Sequence, residues 1–490
     1  MKKFIILYVV ILFAGTACDM EYLPYDGLPE SQLIASDVGL KGATIGNYNY
    51  LKDSYYQRNF HFFGEYGGDN VSLSGTTSDH LFYCYNYQHF PGMSPTQGFW
   101  EKTYQLVVGC NKVIQAIGDD ASEEMKQVKG ENLFIRAQTY FHLVNVFGRP
   151  YYQNPETSLG IPIKLDDDVE NIPARATVKE VYEQVIADLV EAEKLMGSEK
   201  ANIFASKEVA QALLSRVYLY MSGTPDSPVA EYATKSIEYA NKVISSGRYS
   251  LMATGPYKGY FKPAPEDNVE TIFAVKHQID VDDRGWSSLG SMYNHVEGKG
   301  FGEMYASEPY RNLLDEFPED ARHAFVEPQY NDDGSLQERN GYPKYYINKY
   351  SMQEDEPTLS SPVFIRLAEM YLNRAEANAK LGNNGDAIDD VNEIRQRAGL
   401  SGDALYSVDD LKGRSSVFQV VLDERRLELA FEAQRRFDIF RNGLTLDRNY
   451  PGTHDGGASP LLEIPADHPR VIFYIPESQM NVQENLVQNP

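Results

Sequence analysis

Apolar residues recur along much of this chain at helical spacing. In residues 363–400, Ala368, Tyr371, Leu372, Ala375 and Ala379 fall at i, i+3, i+4, i+7 and i+11, one stripe of a 3.6-residue helix. After the Gly382-Asn383-Asn384-Gly385-Asp386 break the period resumes at Ala387, Ile388, Val391, Ile394 and Ala398. The spacing predicts two antiparallel helices with small residues on their facing sides. Gly382 is expected as a left-handed C-cap and Asp386 as the next N-cap. Residues 206–221 and 229–245 predict another such hairpin. Further helices are predicted over 33–56, from Phe99 onward, over 130–148, and after Thr177, where Thr177 and Glu180 fit a capping box. Alanine-lined helical hairpins repeated in this way make a stack of the tetratricopeptide kind.

Two stretches break the pattern. Residues 57–98 are rich in Gly, Ser, Asn and Tyr, with a Gly67-Gly68-Asp69-Asn70 turn followed by Tyr83, Tyr85, Tyr87 and His89. Those four share a face if the backbone is extended, which admits two readings: a strand packing its rings inward, or a ring-and-amide surface. Between residues 247 and 362 the chain turns to Pro, Gly, Asp and aromatics, and only 270–278 reads as a strand. An irregular excursion of that length is usually functional. Trp286 lies in it within Arg284-Gly285-Trp286-Ser287-Ser288, with no helix to pack into locally, so it is either a ligand platform or a lid on the core. The candidate ligand-binding residues are Asp69, Asn70, Tyr85, Tyr87, Trp286 and Tyr293. Rings suit the C–H face of a sugar, and carboxylate and amide groups suit its hydroxyls.

Composition narrows the function. With 490 residues and a formal charge of −25, the chain offers no basic patch to release counterions from nucleic acid. Lys2 and Lys3 precede an apolar run from Phe4 to Phe13, too short to span a bilayer, and Gly15-Thr16-Ala17-Cys18 follows. That is a targeting segment. Only Cys84 and Cys110 then remain, too few for a disulfide framework, although one bridge between them stays open. Neither cysteine has histidines at metal spacing, and the Asp166-Asp167-Asp168 run lacks the glycine and distal Glu of a calcium loop. No G-x-S-x-G, H-E-x-x-H, P-loop or dinucleotide turn is present. Glu424 and Glu428 share a helix face, but arginines beside them point to an ion-pair network and away from a general-acid role. Arg136 is likewise expected to be a buried ion-pair partner.

Several motifs together resemble one family. Arg366-Leu367-Ala368-Glu369-Met370-Tyr371-Leu372, Arg374-Ala375-Glu376-Ala377 and Asn392-Glu393-Ile394-Arg395-Gln396-Arg397-Ala398-Gly399 are similar to the C-terminal signature of the SusD/RagB family of outer-membrane nutrient-binding lipoproteins. The Arg136-Ala137 helix ending in Phe147-Gly148 and the close on Gln488-Asn489-Pro490 resemble it too, and Gly15-Thr16-Ala17-Cys18 resembles a lipobox. The resemblance implies an α-rich fold: a tetratricopeptide-like helical hairpin scaffold with a loop-rich, irregular ligand-binding half. It implies a signal peptide over 1–17, lipidation at Cys18, and a single domain over 18–490. Helical repeats are expected at about 99–250 and 363–445, and loop-rich excursions at about 57–98 and 250–362. The implied role is to bind a glycan on the cell surface, anchored by lipid in the outer membrane, and to deliver it to a SusC-like TonB-dependent transporter. No catalysis, cofactor or metal is implied. A peptide-binding RagB-like protein is the alternative, and a surface glycoside hydrolase is a more distant one.

Overall fold

The computed structural model describes residues 34–73, 80–168, 170–282, 285–296, 298–339, 341–455 and 461–490. Helices dominate: α1 (Asp37–Tyr50), α2 (Ser54–His61), α3 (His80–Tyr85), α4 (Ser94–Ala116), α5 (Glu123–Phe147), α6 (Val178–Leu195), α7 (Lys207–Met221) and α8 (Ala230–Ile244) in the first half. After a long interruption come α9 (Leu367–Leu381), α10 (Asn384–Arg397), α11 (Val417–Leu429) and α12 (Arg435–Arg441). The strands used below are β1 (Val71–Leu73), β2 (Thr271–Ala274), β3 (Met304–Ala306), β4 (Val326–Pro328), β5 (Tyr345–Ile347) and β6 (Val363–Arg366).

From α4 to α11 each of these helices packs on the next, and the order holds across the interruption, since α8 lies directly against α9. The excursion over 245–366 is thus inserted between two neighbouring helices of a continuous array. Its base is closed where β2 pairs antiparallel with β6, the strand that leads straight into α9. Alanines allow the helices to approach closely: Ala375 and Ala387 are fully buried in one cluster with Ile388, Val391, Val420 and Val421.

Local signals set the helix ends. Gly382 caps α9 in the left-handed conformation, φ 81°, as expected. Asp386 is not the N-cap. The helix α10 begins earlier, at Asn384, and Asp386 sits in its first turn, where a carboxylate still favours the positive end of the dipole. The Thr177–Glu180 capping box forms, with the Thr177 N–H donating to Glu180 Oε2 at 2.7 Å. The helix predicted over 33–56 is two helices; Leu33 lies outside the described residues. Ser36 caps α1, and a break at 51–53 lets Asp53 cap α2 by accepting from the Tyr55 N–H. The alternating rings at 83–89 are not a strand. Tyr83 and Tyr85 belong to α3, and Tyr87 has a left-handed φ of 56°. Cys84 and Cys110 are both buried and are not bridged to each other.

Buried ion pairs tie the array together. Arg136 grips Asp188 bidentately at 2.8 and 2.6 Å. Glu424 receives Arg322 and Arg395, Glu428 receives Arg366 and Arg397, and Glu432 receives Arg366 and Lys349. Burial alone would raise the Glu428 carboxyl, but the guanidinium groups of Arg397, Arg366 and Arg322 hold it well below the usual range. A carboxylate held ionised in this way has no proton to give, and Glu424 is buried in the same ion-pair network between Arg322 and Arg395.

Candidate functional site

The six sequence-predicted residues part company. Asp69 follows a π-helical turn (Phe62–Tyr66) and is mostly buried, bound bidentately by Arg435 at 2.6 and 3.0 Å with Arg426 at 3.3 Å. Burial works to raise its carboxyl, and those two arginines outweigh it, holding the group well below the usual range. Asn70 is fully buried, donating to Glu65 Oε1 at 3.0 Å and accepting from Arg426 Nε at 2.9 Å. Tyr85 is buried with its hydroxyl 2.7 Å from His454 Nδ1 and Arg448 over its ring. Tyr87 is buried with its hydroxyl donating to the Gly67 carbonyl, and Tyr293 is buried against His61 and Tyr350. These five fasten the early loop to α11 and α12 and to the late excursion, and in this conformation they present no face to a ligand. The rings with nearby Asp and Asn do not form a surface: arginines far away in the chain take Asp69 and the Asn70 side-chain carbonyl, and buried partners take the tyrosine hydroxyls.

Trp286 differs. It is 51% exposed, and its ring lies 4.9 Å from that of Phe301, which is 50% exposed, at an interplanar angle of 54°. A single exposed apolar side chain needs no explanation, but two large rings in contact at the surface make a contiguous apolar patch. The loop carrying them is firmly held. Ser288 caps a short helix (Leu289–Tyr293) by accepting from the Ser291 N–H at 3.0 Å, and Tyr293 plants that helix in the core. Gly290 presses on Tyr350, where a Cβ would come within 2.3 Å of the carbonyl oxygen. The Phe301 N–H donates to the Ser291 carbonyl at 2.7 Å, and Gly300, at φ 102°, turns the chain into Phe301. The sequence singles out Trp286 but not Phe301, whose position just after Gly298 and Gly300 is the available signal.

The same loop forms one wall of a cleft of about 350 Å³. Asn294 and His295 line it together with Lys258 and Lys262, and Glu327 and Asn348 are among the remaining lining residues. The Asn348 amide donates to Glu327 at 2.9 Å, and Asn294 donates to Asn348 and to Ser351. His295 Nδ1 lies 2.6 Å from the Gly300 carbonyl, so that nitrogen donates there. Met352, also in the lining, holds φ 65°, a conformation costing a non-glycine residue roughly 1–2 kcal/mol. Such strain is typical of functional walls. A larger groove of about 570 Å³ runs along α4, but its indole, Trp100, is only 3% exposed and lies edge-on to Phe147. It offers no open indole face.

The two loop-rich stretches are joined physically, since β1 of the early one pairs antiparallel with β3 of the late one, Val71 opposite Ala306. A helical array whose two loop-rich stretches are stapled by strands, with an exposed ring pair on one of them, defines the class of fold. Comparison with known proteins gives the class a family. The SusD family model matches residues 282–490, and a model described as starch-binding, associating with outer membrane, matches residues 26–219. The SusD-like protein P38 of Formosa agariphila is 24% identical over 513 aligned residues, covering 91% of this chain and 96% of that protein. The starch-binding protein SusD of Bacteroides thetaiotaomicron is 34% identical over a shorter span, 27% of this chain and 22% of that one. Among solved structures, a SusD superfamily protein from Bacteroides thetaiotaomicron superposes with a TM-score of 0.80 at 28% identity, covering 92% of this chain and 99% of that chain. A putative sugar binding protein from Bacteroides vulgatus superposes at 0.78 with 26% identity, covering 92% and 98%. The chain belongs to the SusD/RagB family. Among the described residues no helix is long and apolar enough to cross a membrane. Cys18 and the segment before it lie outside the described residues.

Proposed function

We propose that this protein binds a glycan at the Trp286–Phe301 patch, without catalysing any change in it, and passes it to a SusC-like TonB-dependent transporter. The observation that carries the reading is the exposed ring pair on an anchored loop. Pyranose rings present flat patches of C–H edged by hydroxyls, so an indole face beside a cleft of amides, imidazole and ammonium groups matches both parts. The names of its relatives, a starch-binding protein and a putative sugar binding protein, support the same ligand class. Binding without turnover fits Glu424 and Glu428, whose carboxylates are locked in buried arginine pairs.

In this reading residues 18–490 act as one unit, held at the outer surface of the outer membrane by lipid on Cys18. Trp286→Ala should abolish retention in a polysaccharide affinity gel, because losing a stacking ring costs about 1–3 kcal/mol by analogy with bases on aromatic platforms. The melting temperature should stay put, since the ring is half exposed. Retention that survives while stability falls would make Trp286 a structural lid and defeat the assignment. For the anchor, Cys18→Ala should move the protein out of the membrane fraction; equal membrane recovery of the variant would exclude lipidation at that residue.

A further inference from the structure

The cleft beside the ring pair is lined by two lysines and one carboxylate. With a formal charge of −25, cations are outnumbered, and elsewhere in the same excursion Lys276, Lys299 and Lys349 each hold a carboxylate. Lys258 and Lys262 do not. Both are exposed, both line the cleft, and among the described residues neither forms an ion pair. The carboxylate that lines the cleft with them, Glu327, is engaged by the Asn348 amide. Asn294 and His295 line the same cleft, and His295 is held by its Nδ1 contact to the Gly300 carbonyl.

We infer that this cleft reads an anionic group on the sugar, a uronate carboxylate or a sulfate ester, with Lys258 and Lys262 as the reading residues. The inference rests on the saccharide reading above and adds to it the class of sugar. Two lysines four residues apart that line the same cleft can converge on a single anion. The amides of Asn294 and Asn348 in the same lining suit the hydroxyls of the same ring. The net negative charge of the protein does not prevent this, because charges farther away than about 8 Å are screened at physiological salt. Such a site would make the protein selective for acidic glycans, with the Trp286–Phe301 patch supplying contact area to sugars of any charge.

The test is calorimetric titration of the mature chain and of its Lys258→Gln/Lys262→Gln and Trp286→Ala variants. The probes are an oligogalacturonate, a sulfated oligosaccharide, neutral maltohexaose and a glutamate-rich peptide. The wild type should bind at least one anionic oligosaccharide roughly tenfold or more tightly than maltohexaose, as expected for hydrogen bonds to a charged group. That preference should disappear in the double-lysine variant and shrink as salt is raised. Trp286→Ala should weaken charged and neutral saccharides alike. Which anionic probe wins identifies carboxylate or sulfate as the recognised group. Equal affinity for maltohexaose, or a preference that survives the double substitution, overturns the inference while leaving glycan binding intact. Peptide binding as tight as the best saccharide also overturns it, because the cleft would then read charge alone. If no saccharide binds and the peptide does not either, the glycan reading itself falls.

Discussion

The helical array and the excursion inserted in it handle the same residue types in opposite ways. Trp100, on α4, is wedged edge-on against Phe147 and almost wholly covered; Trp286, in the excursion, lies half open against Phe301. In the array, arginines and carboxylates are buried together and satisfy one another, as with Arg136 on Asp188 and Arg441 on Glu376. In the excursion, Lys258 and Lys262 stand exposed, and among the described residues neither forms an ion pair. The difference separates scaffold from surface: buried charge that is fully paired fixes how helices meet, whereas exposed rings and unspent cations remain for something outside the chain.

The largest effect should come from breaking the array. Glu428→Ala leaves Arg366 and Arg397 without their shared carboxylate in the interior, which should cost about 3–5 kcal/mol in chemical denaturation. A loss under 1 kcal/mol, on the order of an exposed pair, would mean that water reaches these groups and that the contrast between buried and exposed charge is false.

A second way to sharpen the contrast is by pH, at the seam between the regions. Burial pushes the Glu65 carboxyl up to about 7, against partial opposition from its hydrogen bonds with Asn70 and the Phe431 N–H and from the charges of Lys349 and Arg435. Its second oxygen has no hydrogen-bond partner among the described residues. The folded state therefore favours the neutral acid, and its stabilising contribution is fully present below the unfolded value near 4.3. It is lost as pH rises through about 7. Compared with Glu65→Gln, the wild type should lose on the order of 3 kcal/mol of relative stability between those limits. A stability difference that does not vary with pH would show that Glu65 is solvated.

What could be read in the sequence follows the same division. Helical hairpins announce themselves locally, through a 3.6-residue period, Gly382 past the end of α9 and a Thr177–Glu180 box, so their existence and most boundaries were legible. Asp386 was misplaced because Asn383 and Asp386 both suit a helix start, and only packing chooses between them. The ring cluster at Tyr83, Tyr85 and Tyr87 alternates like a strand, yet α3 and the left-handed Tyr87 turn its side chains inward. Nothing nearby in sequence tells that Asp69 will meet Arg426 and Arg435, since those contacts cross most of the chain. Trp286 stood out because it has no helical neighbours to explain it. The cleft did not, because its walls come from four separate segments around Lys258, Asn294, Glu327 and Asn348.

The central claim, that the excursion is the binding surface and the array its support, meets its most direct test in the two tryptophans. Acrylamide quenching of intrinsic fluorescence distinguishes the open indole of Trp286 from the covered one of Trp100. The measurement is made without and with a saturating oligosaccharide whose binding has been established by calorimetry. The account predicts that the ligand removes the readily quenched component and leaves only emission as protected as that of Trp100. Unchanged quenching in the presence of bound ligand would contradict it, because the sugar would then sit away from Trp286.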